Sequence, residues 1–299
     1  MTHATGFFAG AGGLRIFWQS WQPAEEPTAV VVLLHGASEH SGRYAHVAAA
    51  LTTAGYAVYA LDHRGHGRSE GSRAVLDRMT RAVADVDQLV LRAAQESPER
   101  RVFMLGHSMG GTVAVSYCLT HGSDDSRLSG LILSGPLAAL EAAPAPLRAL
   151  GRMLSTLTPR LGLVGIDANL VSRDPQVVRD YVADPLNHHG KLPARTVAEL
   201  AGAVGRFPDA VGAITLPTLI LYGTADALAP PAGSEMLLQR LGSADKRATA
   251  YPGLFHEILN EPERAEVLTE ILGWLAAHTG ATSASSASSA AAPDARTTS

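Results

Sequence analysis

The sequence has a single cysteine and no basic run, and each of these features argues against a class of function. Cys118 is the one cysteine among 299 residues, so neither an intrachain disulfide nor a cysteine-ligated metal cluster is available. Lys191 and Lys246 are the two lysines among 24 basic residues, and the net charge is −4. No basic run occurs along the chain. Because nucleic acid is bound through basic surfaces, we expect no nucleic-acid partner.

Long apolar runs are also missing. The longest aliphatic run, Val30–Leu34, is far shorter than the roughly 20 residues that a membrane span needs. Met1–Gly13 lacks the basic start and apolar run of a secretory signal. The chain is nevertheless 46% hydrophobic, which is enough for a sizeable core. We therefore expect a soluble, cytoplasmic globular protein.

Short apolar runs alternate with helical patterns over the first 135 residues. The runs are Val30–Leu34, Ala57–Leu61, Arg101–Leu105 and Leu128–Leu133. Each is typical of a buried parallel strand, and the helical patterns between them predict right-handed crossovers. An earlier strand over Leu14–Trp21 is expected at an antiparallel edge.

The alternation stops after Pro136. Residues 137–209 show no convincing strand, and prolines divide them into short helices: Pro144, Pro146, Pro159, Pro175, Pro185, Pro193 and Pro208. The strand pattern returns at Thr218–Gly223 and again at Arg247–Tyr251, followed by a helix over Pro262–His278. We therefore expect an α/β core from residues 1–136 and 210–278, interrupted by a helical insertion at 137–209.

Residues 279–299 are Ala, Ser, Thr and Pro with almost no large side chain to bury, and this composition predicts a disordered tail.

Residues 106–110 read Gly-His-Ser-Met-Gly, a G-x-S-x-G pentapeptide that joins an apolar strand to a helical pattern. A serine on such a sharp turn has a strained backbone and close neighbours, so residues without a Cβ fit at both flanks. The turn presents the serine Oγ near a helix N-terminus, where developing negative charge is favoured. Ser108 is therefore the candidate nucleophile.

A serine hydroxyl needs a base, and the base needs an orienting acid. With this type of turn, the acid and the histidine follow the serine in the chain, each on a loop after a strand. Asp226 lies just past Thr218–Gly223, and His256 follows the last predicted strand. We predict that Ser108, Asp226 and His256 form a catalytic triad.

The tetrahedral intermediate of acyl transfer needs two N–H donors. The backbone amide of Met109 directly follows the nucleophile, and that of Ala37 follows the strand that ends at His35 and Gly36. These two amides are the predicted oxyanion hole. Such chemistry needs no metal and no organic cofactor.

Taken together, the chain resembles the α/β-hydrolases and, more narrowly, the monoacylglycerol lipases, which are also described as serine aminopeptidase-like or lysophospholipase-like hydrolases. The matching stretches span most of residues 10–278: HGASEHSGRY at 35–44, DHRGHGRS at 62–69, GHSMGG at 106–111, YVADPL at 181–186 and GLFHE at 253–257. The resemblance implies a mostly parallel eight-stranded sheet flanked by helices, with residues 137–209 as a helical cap, or lid, inserted between core strands.

The resemblance also implies a polar pocket for a glycerol head group, near Glu39, Arg43 and Tyr181. Two interpretations stay open from the residues themselves. Glu39 and Arg43 either bind substrate or form a local ion pair that fixes the oxyanion loop, and Tyr181 either faces the pocket or is a core tyrosine.

Leucines at helical spacing form a stripe within the insertion: Leu147, Leu150, Leu154, Leu157 and Leu161. The stripe either packs on the core and roofs an acyl pocket or meets a lipid surface as an interfacial helix. Arg148 and Arg152 lie off the stripe and are compatible with both interpretations.

The expected function is hydrolysis of monoacylglycerol esters to fatty acid and glycerol through an acyl-enzyme. The partner is then a small lipid ester, with transient membrane or micelle contact through the cap. A general carboxylesterase or a lysophospholipase of the same fold is the alternative. A non-catalytic binding protein is disfavoured, because all three triad residue types are present. The sequence does not indicate an oligomeric state.

Overall fold

A computed structural model describes residues 1–125, 127–140, 151 and 153–280. Its strands are β1 (Thr2–Ala9), β2 (Arg15–Gln22), β3 (Ala29–Leu34), β4 (Tyr56–Leu61), β5 (Val102–His107), β6 (Leu128–Ser134), β7 (Gly162–Val164), β8 (Leu192–Pro193), β9 (Thr218–Gly223) and β10 (Lys246–Tyr251). Eight of them form one sheet in the order β1-β2-β4-β3-β5-β6-β9-β10. β2 pairs antiparallel with β1 and β4, and the other neighbours are parallel. The predicted mostly parallel eight-stranded sheet is confirmed.

Helices cover both faces of this sheet. They include α1 (Ala45–Thr53), α2 (Met79–Glu96), α3 (Met109–Asp125), α4 (Pro175–Ala183), α5 (Ala194–Val204), α6 (Phe207–Ala210), α7 (Pro231–Arg240) and α8 (Arg264–Thr279). Alternate residues of β3 enter two separate hydrophobic clusters, one on each side of the sheet. Every residue of β3 is fully buried, which explains why this strand reads as an uninterrupted apolar run.

The N-terminal hairpin differs from its prediction in one respect. The strand expected over Leu14–Trp21 is β2 and is antiparallel, but the edge of the sheet is β1. β1 was not predicted because most of its residues are exposed and it carries little apolar sequence. Its pairing is held in part by Phe7, whose ring lies 5.5 Å from that of Phe17 in an edge-on arrangement.

Between β6 and β9 the chain leaves the main sheet. The described part of residues 137–209 carries α4 and α5, but also β7 and β8, which form a small antiparallel pair. The expectation that this segment has no strand was therefore wrong. β7 is three residues long and β8 two, too short to produce a recognisable run or alternation.

Part of the predicted leucine stripe, with both flanking arginines, falls outside the described residues: Leu147, Leu150, Arg148 and Arg152. Of the described members, Leu157 is 71% exposed and Leu161 is 46% exposed. These two side chains do not pack on the core. Of the predicted tail, residues 281–299 also lie outside the described residues, whereas Thr279 still belongs to α8. Across the described ranges, we find no helix with the length and apolar character needed to cross a membrane.

Candidate active site

Ser108 occupies the turn between β5 and α3 with a backbone φ of +52°, in the left-handed region that costs a non-glycine residue energy. Its N–H donates to the carbonyl of Ser134 (3.1 Å) and its carbonyl accepts from Thr112 N–H (3.2 Å). A Cβ at Gly106 would lie 2.6 Å from the carbonyl oxygen of Gly110, and one at Gly110 would collide with that of Leu34. The close approach predicted for both glycines is therefore present.

The loops after β9 and β10 bring an aspartate and a histidine together. His256 Nδ1 lies 2.7 Å from Asp226 Oδ2, and both residues are buried. The other carboxylate oxygen, Asp226 Oδ1, accepts from the N–H groups of Leu228 (2.9 Å) and Ala229 (2.8 Å). Since both oxygens of Asp226 are engaged, its carboxylate is fixed and can orient the imidazole.

The loop after β3 contains the first predicted oxyanion donor. Gly36 N–H donates to Glu39 Oε1 (2.5 Å), so that amide is already engaged. The next amide belongs to Ala37, which lines the same cavity as Ser108 and Met109. Met109 is the first residue of α3, where backbone N–H groups have no acceptor within the helix. The structure therefore brings both predicted donors to the wall next to Ser108.

A buried ion group joins this loop to the histidine loop. Arg43 donates to Glu39 Oε2 (2.6 Å) and makes two bonds to Glu257, at 2.6 and 2.7 Å. Tyr44 OH donates to Glu39 Oε1 (2.7 Å), and Asn260 donates to Glu257 Oε2 (2.8 Å). Glu39 and Arg43 thus form the local ion pair that was one of the two interpretations, while Glu39 also lines the cavity.

The insertion reaches the site through Tyr181 of α4. The Arg43 guanidinium lies 4.8 Å from the centroid of the Tyr181 ring, and this buried tyrosine lines the cavity. Nearby, His40 pairs with Asp184 at 2.8 Å, and His188 N–H donates to the carbonyl of Ser38 (2.8 Å). The loop after β3, which contains the first predicted oxyanion donor, is therefore held from the insertion as well as from the core.

One cavity collects these groups. Its polar side chains are Glu39, His107, Ser108, Tyr181, His256 and Glu257, and its apolar lining includes Leu137, Leu140, Val164, Val171, Leu192, Val197, Leu200 and Leu228. Many of the apolar residues come from the insertion, whereas the polar ones, apart from Tyr181, come from the core, at the end of β5 and in the loops after β3, β5 and β10. The cavity therefore places the Ser108 hydroxyl and the His256 imidazole between a polar wall and an apolar one.

Comparison with known proteins shows the family of the chain. The family model described as serine aminopeptidase, S33, matches residues 25–263. The chain belongs to the serine aminopeptidase S33 family. It is 44% identical over 91% of its length to a monoacylglycerol lipase of Mycolicibacterium smegmatis, covering 96% of that protein. It is also 36% identical over 90% of its length to human monoglyceride lipase, covering 89% of it.

Solved structures place this S33 chain in the α/β-hydrolase fold. The crystal structure of Paleococcus ferrophilus monoacylglycerol lipase superimposes with a TM-score of 0.78 and 32% identity. The match covers 88% of this chain and 99% of that one. The chain is thus a hydrolase of the α/β-hydrolase fold, as its sequence predicted.

Glu257 lines the cavity and directly follows His256, but no role for it was predicted from the sequence. Its partner Arg43 is 214 residues away in the chain. The position of the Glu257 carboxylate next to the predicted base was the signal that the sequence offered for a role in the site. Its partner Arg43, however, could be identified only from the fold of this S33 chain.

His256 is surrounded by negative charge. Burial by itself lowers the pKa of His256, but the adjacent Asp226 carboxylate, with smaller contributions from Glu257 and Glu39, raises that pKa above its ordinary value of 6.5. His107, whose ring lies 4.7 Å from that of His256, has its pKa lowered to about 4, chiefly by burial. The site therefore holds one basic imidazole beside one that is neutral at physiological pH.

This difference predicts the pH dependence of activity. A general base must be neutral, so we expect kcat/KM to fall on the acid side with a midpoint above the ordinary His256 pKa of 6.5. Glu257→Gln should move that midpoint to lower pH, because the imidazolium loses a stabilising charge. The measurement is phenol release from phenyl butyrate, quantified by chromatography from pH 5 to 9. Glu263→Gln, which neutralises an exposed carboxylate outside the cavity, should leave the midpoint in place. A wild-type midpoint at or below 6.5 would contradict the prediction.

Proposed function

We propose that this S33 hydrolase cleaves monoacylglycerols to a fatty acid and glycerol. The observation that carries the proposal is the single cavity that joins Ser108 and His256 to a polar wall and an apolar wall. An ester of one acyl chain with a small polyol has an apolar half that matches the apolar wall and a polar half that matches the polar wall. The relatives named as monoacylglycerol lipases, at 44% and 36% identity, support the same substrate.

In the proposed mechanism, Ser108 Oγ attacks the ester carbonyl while His256 Nε2 takes its proton. Asp226 holds the imidazole tautomer and stabilises the imidazolium. The amides of Ala37 and Met109 stabilise the oxyanion. His256 then protonates the departing alcohol oxygen, and water, activated by the same histidine, hydrolyses the acyl-enzyme.

We assign the head-group side of the cavity to Glu39 and Tyr181, with Arg43 fixing Glu39. Glycerol hydroxyl groups can donate to a carboxylate and accept from a phenol. We further propose that residues 137–209 form a cap over a core made of residues 1–136 and 210–278. Support comes from the insertion's contribution to the apolar lining of the cavity, through α5 and the strand pair.

The outer surface of this cap suits contact with a micelle or membrane. Its exposed apolar side chains outside the cavity include Met153, Leu157, Leu161 and Val182, each at least 46% exposed. We propose that these side chains together form an apolar surface, since contiguous exposed apolar surface marks interaction sites. The proposed location is cytoplasmic with peripheral contact to lipid, which agrees with a lone buried cysteine that needs no oxidising compartment.

A substrate panel tests the proposal. Purified enzyme should turn over monooleoylglycerol with kcat/KM at least about tenfold above dioleoylglycerol, trioleoylglycerol and lysophosphatidylcholine, since one acyl chain and a small neutral head fit the cavity. Higher efficiency on short water-soluble esters would favour a general carboxylesterase, and preference for lysophosphatidylcholine would favour a lysophospholipase. Preference for trioleoylglycerol, or no turnover of any ester, would overturn the proposal.

A further inference from the structure

The charges at the polar wall of the cavity do not balance. Glu39 and Glu257 both line it, at 2% and 5% exposure. Arg43 is bonded to both but is not among the described residues that line the cavity. Burial alone would raise the pKa of Glu39, but Arg43, the nearby histidines and the Tyr44 hydroxyl together outweigh burial and lower that pKa to about 2. Two carboxylates share one guanidinium, so the group keeps an excess negative charge.

Neighbouring groups do not cancel this charge. His107 has its pKa lowered to about 4 by burial, and burial also lowers the pKa of His35. Both imidazoles are therefore neutral at physiological pH. When His256 is protonated, its charge is paired with the Asp226 carboxylate at 2.7 Å, so it does not neutralise Glu39 and Glu257 as well. The described residues that line the cavity include no lysine and no arginine.

The alcohol half of the ester must lie against this wall. His256 protonates the leaving oxygen, so the alcohol departs next to His256, and Glu257 is the following residue of the same loop. Hydroxyl groups can donate to the free lone pairs of Glu39 and Glu257. An anionic group in the same place would face carboxylates that are almost fully buried, where charge repulsion is screened less than in bulk water.

We propose that Glu257, together with Glu39, determines head-group specificity by charge. The site accepts esters of neutral alcohols and rejects esters whose alcohol carries an anion, such as a lysophosphatidate. For its lipid substrates this inference rests on the proposed function, and it deepens that function by naming the class of lipid that is excluded.

The test compares two lipids with the same acyl chain, 1-oleoylglycerol and 1-oleoyl-lysophosphatidate, in the same neutral-detergent micelles. Wild-type kcat/KM should favour the glycerol ester by about a hundredfold or more, and Glu257→Gln should narrow that ratio by roughly tenfold, as expected for loss of one nearby charge. Glu263→Gln changes the net charge equally but lies outside the cavity, so its ratio should match wild type. Comparable turnover of both lipids by wild type, or an unchanged ratio in Glu257→Gln, would overturn the inference.

A second substrate pair separates this inference from the lipid function. The pair is 4-carboxyphenyl octanoate and its neutral counterpart 4-carbamoylphenyl octanoate. Wild type should prefer the neutral ester, and Glu257→Gln should narrow the ratio of the two kcat/KM values, as for the lipids. If wild type fails on monoacylglycerol but discriminates between the aryl esters, the proposed function is wrong and the charge selection stands. If wild type cleaves monoacylglycerol but Glu257→Gln leaves both ratios unchanged, the charge selection alone is wrong. Should Glu257→Gln fail to fold by circular dichroism, Glu39→Gln removes the other carboxylate and must shift the ratios in the same direction.

Discussion

Replacing Ser108 with alanine should lower ester hydrolysis by about a million-fold and abolish covalent labelling by a fluorophosphonate probe. The expected loss is specific to chemistry, because alanine keeps the Cβ and the backbone hydrogen bonds of Ser108 involve its N–H and carbonyl. The positive φ of +52° is tolerated equally by either residue. The measurements are kcat/KM for 4-nitrophenyl butyrate and labelling stoichiometry by mass spectrometry.

Ser116→Ala is the matched control for this change. Ser116 lies two turns further along α3 and donates to the carbonyl of Thr112 (2.8 Å), and it is not among the residues that line the cavity. Its variant should keep wild-type turnover and labelling. If Ser108→Ala were labelled at the wild-type stoichiometry, the nucleophile would be a different residue.

The core strands were predictable from the sequence because burial on both faces imposes a visible pattern. β3 is apolar at every position, since alternate residues enter different clusters. β1 and the β7–β8 pair were not predicted from the sequence. An exposed edge strand and strands of two or three residues do not require an uninterrupted run of apolar residues. Sequence patterns therefore revealed the elements that the core must bury.

Some residues of the candidate site could likewise be predicted from the sequence, and one could not. Ser108, Asp226 and His256 could be predicted as one site because each follows a recognisable strand, and parallel strands end at one edge of the sheet. The pairing of Glu39 with Arg43 was also within reach, since the residues are four apart in one short segment. Glu257, the third member of this ion group, could not be predicted. Its bond to Arg43 joins two loops that are far apart in the sequence and that only the order of the strands in the sheet brings together.

Replacing Asp226 with asparagine should reduce kcat/KM by about ten-thousandfold with little change in fold. An asparagine has one oxygen and one NH₂ group. The N–H groups of Leu228 and Ala229 both point at the Oδ1 position, so the asparagine oxygen should occupy that position. Its NH₂ group then faces His256 Nδ1, which must accept rather than donate. The imidazole is thereby held as the Nε2–H tautomer, which cannot take a proton from Ser108.

The chain offers a close control for Asp226→Asn in a second aspartate–histidine pair. Asp245 Oδ2 lies 2.9 Å from His278 Nε2, but the Asp245 side chain is 62% exposed and the pair is not among the residues lining the cavity. Asp245→Asn should therefore retain wild-type kcat/KM for 4-nitrophenyl butyrate. Circular dichroism and thermal unfolding of both variants separate a loss of chemistry from a loss of fold. Near-wild-type activity of Asp226→Asn, or an equal loss in Asp245→Asn, would show that the carboxylate of Asp226 does not set the state of His256.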